Sequence, residues 1–483
     1  MTLAIILVYL SLVLAVGLLS HKKSTGTGED YFLATRSIGP FVLLMTLFGT
    51  HMTAFSLLGA SGEGYRNGIG VFGLMASTSA IVVPAIFYFV GQRLWALGKR
   101  NGYVTQVQFF RDRFQSSGLG LLLFIVLAML LIPYLLIGVM GGGLTLNEIT
   151  DGLVPQWAGS LMVCAVVLAY VTYGGLRGTA WVNTLQTMVF MVLGGVTFFW
   201  IVSRLGGLEA ALDRVAVDNP DLLIRGERIK PLKMLTYAAI PMSVGMFPHI
   251  FMHWLTAKRA ESFRLSYVGY PICVAVVWLP SVLLGVIGTS DVVGLKGPAA
   301  NSVLVLMIDK HAPEMLAGLL AAGVFAAIMS SLDSQTLSLG TMFTQDIVRH
   351  YREGEMDEAT QVRVGRWFVA GLIALTFLIS LVAPRSIFKL GIWSFTGYAS
   401  LLPLALAAIY WKRATRGGAI ASVLTVAVLW IVFFVRGWSV PGYTVGGTGI
   451  MPVAVILVSG AVALVLVSLA GRPPDRDVLA RFF

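Results

Sequence analysis

Ala326-Ala327-Ile328-Met329-Ser330-Ser331-Leu332-Asp333-Ser334-Gln335 places hydroxyls and one carboxylate inside a segment apolar enough to cross a membrane. Polar oxygens in hydrocarbon are costly unless they bind or pair with something. Adjacent serines, joined by free backbone carbonyls from a neighbouring broken helix, would form an oxygen cage for a small cation. The stretch therefore predicts an all-α polytopic membrane protein whose work is coupled to an ion.

Composition agrees. Hydrophobic residues make up 57% of 483 and charged residues 12%, about half the charge of soluble domains. Mean hydropathy is +0.84. A spanning helix takes about 20 apolar residues, and we read about thirteen: 2–19, 41–60, 71–92, 119–140, 157–173, 182–203, 233–255, 267–289, 314–345, 365–384, 387–411, 418–436 and 450–470. Little chain remains for a soluble domain, so one membrane transport domain over 1–483 is expected.

Cys164 and Cys273 both fall in apolar spans, without the spacing of a zinc site or a disulfide framework. The net charge of +11 reads as Lys and Arg gathered in cytoplasmic loops rather than as a nucleic-acid surface. With the N-terminus outside, basic residues on the cytoplasmic side outnumber the others by about two to one. Residues 1–19 lack a basic leader, and His21, Lys22 and Lys23 follow them, so a retained first helix is expected rather than a cleaved signal. These signs predict a multi-pass protein of the plasma or inner membrane, N-terminus outside and C-terminus cytoplasmic. Gly207–Val215 and Ala299–Asp309 have helical patterning in outside loops, and the tail from Arg472 reads as a short polar end.

Two spans carry helix breakers. Gly49-Thr50-His51-Met52-Thr53 lies mid-span, and Gly59-Ala60-Ser61-Gly62-Glu63-Gly64 follows. Met242-Ser243-Val244-Gly245-Met246-Phe247-Pro248-His249 is the second; Pro248 removes a backbone donor. Broken helices at mid-membrane line binding sites, and two of them five spans apart suit an inverted repeat. Close packing through small residues would also explain the first stretch.

Several stretches, in order, resemble the sodium:solute symporter family. Glu29-Asp30-Tyr31-Phe32-Leu33-Ala34-Thr35-Arg36-Ser37 resembles the family's DYFLAGRS element. Thr105–Phe114 resembles its T-x-x-E-F-x-x-x-R-F loop, and Tyr170-Val171-Thr172-Tyr173-Gly174-Gly175-Leu176 its Y-T-x-x-G-G-L signature. Pro248-His249 and Tyr410-Trp411-Lys412-Arg413-Ala414-Thr415 match Q-P-H and Y-W-K-R-A-T elements. The resemblance implies a LeuT-like five-plus-five inverted-repeat core over 41–411. An extra helix and loop over 1–40 would precede it, with extra helices and a tail over 412–483. It implies Na+ as the coupling ion, held by carbonyls of Gly49, Met52 and Ala327 and by hydroxyls of Ser330 and Ser331. The competing role for the two serines is bonding back to the preceding helical turn.

The chain departs from the family at Val182-Asn183-Thr184-Leu185-Gln186, where many members have Thr-Asp-x-x-Gln. Neutral Asn183 replaces a carboxylate, and Asp333, on the Ser330 face one turn on, is the expected substitute charge. His51 stands where the proline transporter has aspartate. Sugar-transporting members use polar groups at the positions of Ser56 and Met75, which disfavours a sugar. The expected solute pocket is His51, Phe55, Ser56, Met140, Phe247, Trp393 and Thr396, suited to an amino acid or monocarboxylate. His249 and His253 are expected at the cytoplasmic interface.

The reading is therefore a sodium-coupled symporter of a small organic solute in the bilayer, with no enzymatic or nucleic-acid role. A proton-coupled transporter using His51 and Asp333 is the nearest alternative, and a non-transporting solute sensor another. A membrane enzyme would have to rest on Asp333 with His51, and no nucleophile motif accompanies them.

Overall fold

The computed structural model describes residues 2–21, 36–226, 229–352, 356–383, 386–440 and 442–483. Most of Glu29–Ser37 lies outside the described residues, as do Lys22 and Lys23. Tyr173, Gly174, Gly175 and Arg177 enter only through their backbone.

The described chain is helical, with one isolated bridge between Ile38 and Ala257. In lipid each backbone group must find its partner within its own segment, which favours helices. The helices are α1 (Thr2–His21), α2 (Pro40–His51), α3 (Phe55–Asn67), α4 (Phe72–Asn101), α5 (Gln106–Phe114), α6 (Ser117–Ile149) and α7 (Gln156–Arg204). There follow α8 (Leu208–Asp218), α9 (Pro231–Gly245), α10 (Pro248–Leu255), α11 (Ala260–Asp291), α12 (Val303–His311) and α13 (Glu314–Tyr351). The last are α14 (Glu358–Ser380), α15 (Ile387–Tyr410), α16 (Arg416–Gly437), α17 (Pro452–Ala470) and α18 (Arg476–Phe482).

Among the described residues, nine helical segments are long and apolar enough to span a membrane. Two further pairs are bent: α2 with α3 by 60° and α9 with α10 by 50°. These are the two breaks expected from the Gly49–Thr53 and Met242–His249 stretches. The first pair runs on to Asn67, beyond the expected end at residue 60, because Glu63 is neutralised locally. Its carboxylate accepts from Arg66 at 2.9 Å and from Asn67 at 2.6 Å.

Helical backbone runs through all of α7, yet its two ends lie side by side. A Cβ on Gly142 would meet Val163 and Phe325, while one on Gly323 would meet Leu193. Residues 163 and 193 would be about 45 Å apart in a straight helix. The run therefore doubles back between 172 and 178, giving the two spans expected over 157–173 and 182–203. Long α13 extends past its expected end to Tyr351. The two patterned loop segments fold as α8 and as a 3-10 turn leading into α12.

One end of the bundle, here the tail face, carries α5 and α18. The other, the loop face, carries α8, α12 and the 438–451 connection. The tail is not the featureless polar end expected from its sequence. Phe482 of α18 packs on Tyr103 and Phe109, and Arg481 bonds Asp112 at 3.1 Å and Asn101 at 2.8 Å. Arg113 is buried beneath, donating to Ala408 O at 3.0 Å and Trp411 O at 3.2 Å, with its guanidinium over the Phe483 ring. Burial pushes Arg113 down to about 10, so it remains a cation at neutral pH.

Candidate functional site

The site begins where α2 stops. Met52 is extended (φ −81°, ψ 119°) and closes the helix by donating its N–H to Phe48 O. Thr53 restarts it: its Oγ1 accepts Phe55 N–H at 2.9 Å, as an N-cap does. The break leaves the last carbonyls of α2 without their usual donors. Tyr134 Oη donates to His51 O at 3.4 Å. Ser330 Oγ, on α13, donates to Gly49 O at 2.8 Å.

Gly49 admits the close approach of α7 on another side. A Cβ there would lie 1.9 Å from Thr187 Oγ1. Thr187 itself donates to Met45 O and Asn183 O, tying the second leg of α7 to α2. Ser330 Oγ also lies 3.1 Å from Ala327 O, and Ser331 Oγ donates to Ile328 O at 3.1 Å. Ser331 thus bonds back to the preceding turn, whereas Ser330 also crosses to the broken helix. Met52 is wholly buried, with its sulfur accepting from Trp278 Nε1. Thr50 Oγ1 is buried without a partner beside them.

One turn further along α13 lies a polar seam. Tyr170 Oη donates to Asp333 Oδ2 at 3.1 Å, and Ser334 Oγ donates to Asp333 Oδ1 at 3.2 Å. Asn183 Nδ2 donates to the same Ser334 hydroxyl at 2.8 Å, and His253 Nε2 lies 3.1 Å from it. Asn183 and Asp333 are therefore joined through one hydroxyl. Asn183 Oδ1 and both polar atoms of Gln186 are buried without partners. His249 and His253 are each about 1% exposed, which overturns their expected interfacial placement. The bend at Pro248 turns α10 into the core instead.

The expected solute residues divide into two groups. His51 stacks on Tyr270, bonds its hydroxyl through Nδ1, and faces Phe247 at 6.0 Å between ring centres. Phe247 and Phe55 both pack edge-on against Phe395, at 5.6 and 5.0 Å. Ser56 is buried next to them with its hydroxyl turned back to Thr53 O. Met140 is buried on α6, one residue from Gly141, which abuts Ala54. Trp393 and Thr396 instead line a separate cavity toward the loop face. Phe388 joins the groups: it lines that cavity and stacks on Phe55 at 5.4 Å.

Sequence reasoning missed Tyr134, Tyr270 and Phe395, which build much of the aromatic cluster. The hydroxyls of Tyr134 and Tyr270 inside apolar spans were the available signal. Phe395 gave none.

The sequence profile of the Sodium:solute symporter family matches residues 31–425. The chain belongs to the sodium:solute symporter family. It is 28% identical to the sodium/pantothenate symporter of Escherichia coli, over 85% of this chain and 86% of the relative. It is 25% identical to the osmoregulated proline transporter OpuE of Bacillus subtilis, over 97% and 94%. A solved Na+-coupled sialic acid symporter, substrate-bound and outward-open, superposes with a TM-score of 0.82 at 15% identity, covering 98% of this chain and 99% of that one. A nucleobase-cation-symport-1 family transporter in a closed conformation gives 0.62 at 15% identity, over 93% and 97%. The fold is LeuT-like. The function of the family, sodium-coupled symport of a solute, is the function of this chain, and Na+ is its coupling ion.

Proposed function

We propose that the coupling sodium sits between the break of α2/α3 and the middle of α13, held by carbonyls of Gly49, Met52 and Ala327 and hydroxyls of Ser330 and Ser331. The observation that carries this is the Ser330 Oγ contact to Gly49 O at 2.8 Å, which brings a hydroxyl and a freed carbonyl together across two helices. Hard cations favour such all-oxygen surroundings. The Asp333–Ser334–Asn183 seam supplies the nearby negative charge that Asn183 alone lacks.

An ion in this place draws α13 onto the broken helix. It favours the state in which the aromatic cluster of His51, Phe55 and Phe247, with Ser56 and Met140 beside it, is organised for a solute. The solute then shifts the population toward closure and release on the other side. Such coupling needs sodium to bind the two states unequally. The transported solute is a small organic molecule, an amino acid or monocarboxylate rather than a sugar. Proline and pantothenate, the solutes for which two relatives are named, fit that range. We place the tail face in the cytoplasm and the loop face outside, in the plasma or inner membrane. The ten-helix core is 41–411, flanked by 1–40 and 412–483.

His51 pairs with Tyr270 and aromatic rings rather than a carboxylate, which speaks against proton coupling through His51 and Asp333. The test is uptake of proline, pantothenate and pyruvate into proteoliposomes, with sodium titrated at fixed pH. Saturable uptake of one of them that needs inward sodium, lost in Ser330→Ala, supports the assignment. Uptake driven by a proton gradient without sodium, and lost in His51→Gln, overturns it.

A further inference from the structure

The loop-face cavity has a volume of about 820 Å³ and a lining rich in cationic side chains. Among the described residues four cationic side chains line it, Arg66, Lys230, Lys233 and Lys389, against the single carboxylate of Glu63. Glu63 is already engaged by Arg66 and Asn67. Lys230 and Lys233 have no ion pair among the described residues. Lys389 lies over the Trp438 ring and donates to Trp438 O, which holds its ammonium at the cavity wall.

The deeper wall is different. Trp393 and Phe388 present aromatic surface, and Thr396, 1% exposed, has its Oγ1 without a partner. An unpartnered buried hydroxyl lining a cavity is a waiting hydrogen-bond donor. The Phe388 ring on this wall is stacked on Phe55, so the wall is one ring layer from the broken helix.

We propose that this cavity is a loading site for an organic carboxylate. The anionic end is held among Lys230, Lys233 and Lys389, and the apolar body lies on Trp393 and Phe388, with Thr396 as a neutral donor. The inference rests on the symport reading and narrows its solute to an organic anion over a zwitterion. A cleft lined by one sign of charge raises the local concentration of the opposite ion. The reach of that field is about 8 Å at physiological salt, so it acts on solute already at the mouth.

The test uses the purified full chain in sodium-free choline buffer, with intrinsic tryptophan fluorescence reading the binding of phenylacetate and of its neutral isostere phenylacetamide. Phenylacetate is expected to bind at least fivefold tighter at low ionic strength, with the margin shrinking as salt rises. Lys233→Gln with Lys389→Gln should abolish the margin, and Lys233→Arg with Lys389→Arg should keep it, with unchanged thermal unfolding certifying both folds. Equal binding of the two probes, no saturable binding of either, or a margin that survives the double Gln variant overturns the proposal. Sodium is absent throughout, so failure here is separate from failure of the sodium site, which a sodium-induced stability shift tests without solute.

Discussion

Ser330 Oγ and Gly49 O, 281 residues apart in sequence, stand 2.8 Å apart across two helices. The contact exists because α2 ends at His51 and leaves Gly49 O without a helical donor. Residue 49 also lacks a side chain where α7 packs on α2, since Thr187 fills the space a Cβ would occupy.

Gly49→Ala is therefore expected to destabilise the protein by about 1–3 kcal/mol, the usual cost of overpacking, and to weaken sodium binding. Adding Thr187→Ala removes the Oγ1 at 1.9 Å and leaves a Cβ contact of 3.2 Å. The double variant should recover part of the thermal stability. A double no more stable than Gly49→Ala alone would show that the clash lies elsewhere.

The shared Ser334 hydroxyl makes Asp333 and Asn183 candidates for exchange. Asp333→Asn alone should abolish sodium-dependent uptake, because it removes the only carboxylate of the seam among the described residues. Asn183→Asp added to it should restore a measurable fraction, since the charge returns to the other side of the same hydroxyl. If the double variant is as inactive as the single, the idea that Asp333 supplies the charge missing at Asn183 fails.

The helix breaks, the serine pair and the family motifs were all legible in the chain, because Gly, Pro and hydroxyl residues are conspicuous in apolar spans. The partition of the solute residues was not. Trp393 and Thr396 lie on α15 three residues apart, as pocket residues would, and only the stack of Phe388 on Phe55 reveals that a ring layer separates them from His51. The docked tail was missed for a related reason. Arg481 and Phe482 acquire partners only when α5, some 370 residues earlier, is brought beneath them.

Arg113 anchors that tail. Arg113→Ala leaves the Ala408 carbonyl without the Arg113 donor and the Trp411 carbonyl with only the Ala414 N–H, and removes the cation at the Phe483 ring. A loss of about 2–4 kcal/mol is expected, typical of breaking a buried charged hydrogen-bond set. Arg481→Ala breaks a half-exposed pair with Asp112 and an exposed hydrogen bond to Asn101, and should cost about 0–1 kcal/mol. Thermal unfolding of both variants checks the ranking, and equal losses would contradict it.

Asp309, on α12 at the loop face, has its carboxyl raised by partial burial and by the nearby Asp151 charge. A raised folded pKa means that the protonated form is favoured by folding. Its contribution is therefore full below the unfolded carboxyl pKa and is lost as pH rises through the folded value. Asp309→Asn should raise the unfolding temperature slightly at pH 7, with the gain vanishing by about pH 3.5, below the usual carboxyl range. A gain independent of pH would assign the effect to something other than charge.

The central claim is that sodium sits between Gly49 and Ser330. It is tested most directly by the unfolding temperature of the purified protein in sodium against choline at equal ionic strength, for wild type and Ser330→Ala. Binding stabilises the native state by about 2.7 kcal/mol at a hundredfold excess over Kd. The account predicts a sodium-specific rise in wild type that disappears in Ser330→Ala. A rise of the same size in both proteins, or none in wild type at high sodium, would contradict it.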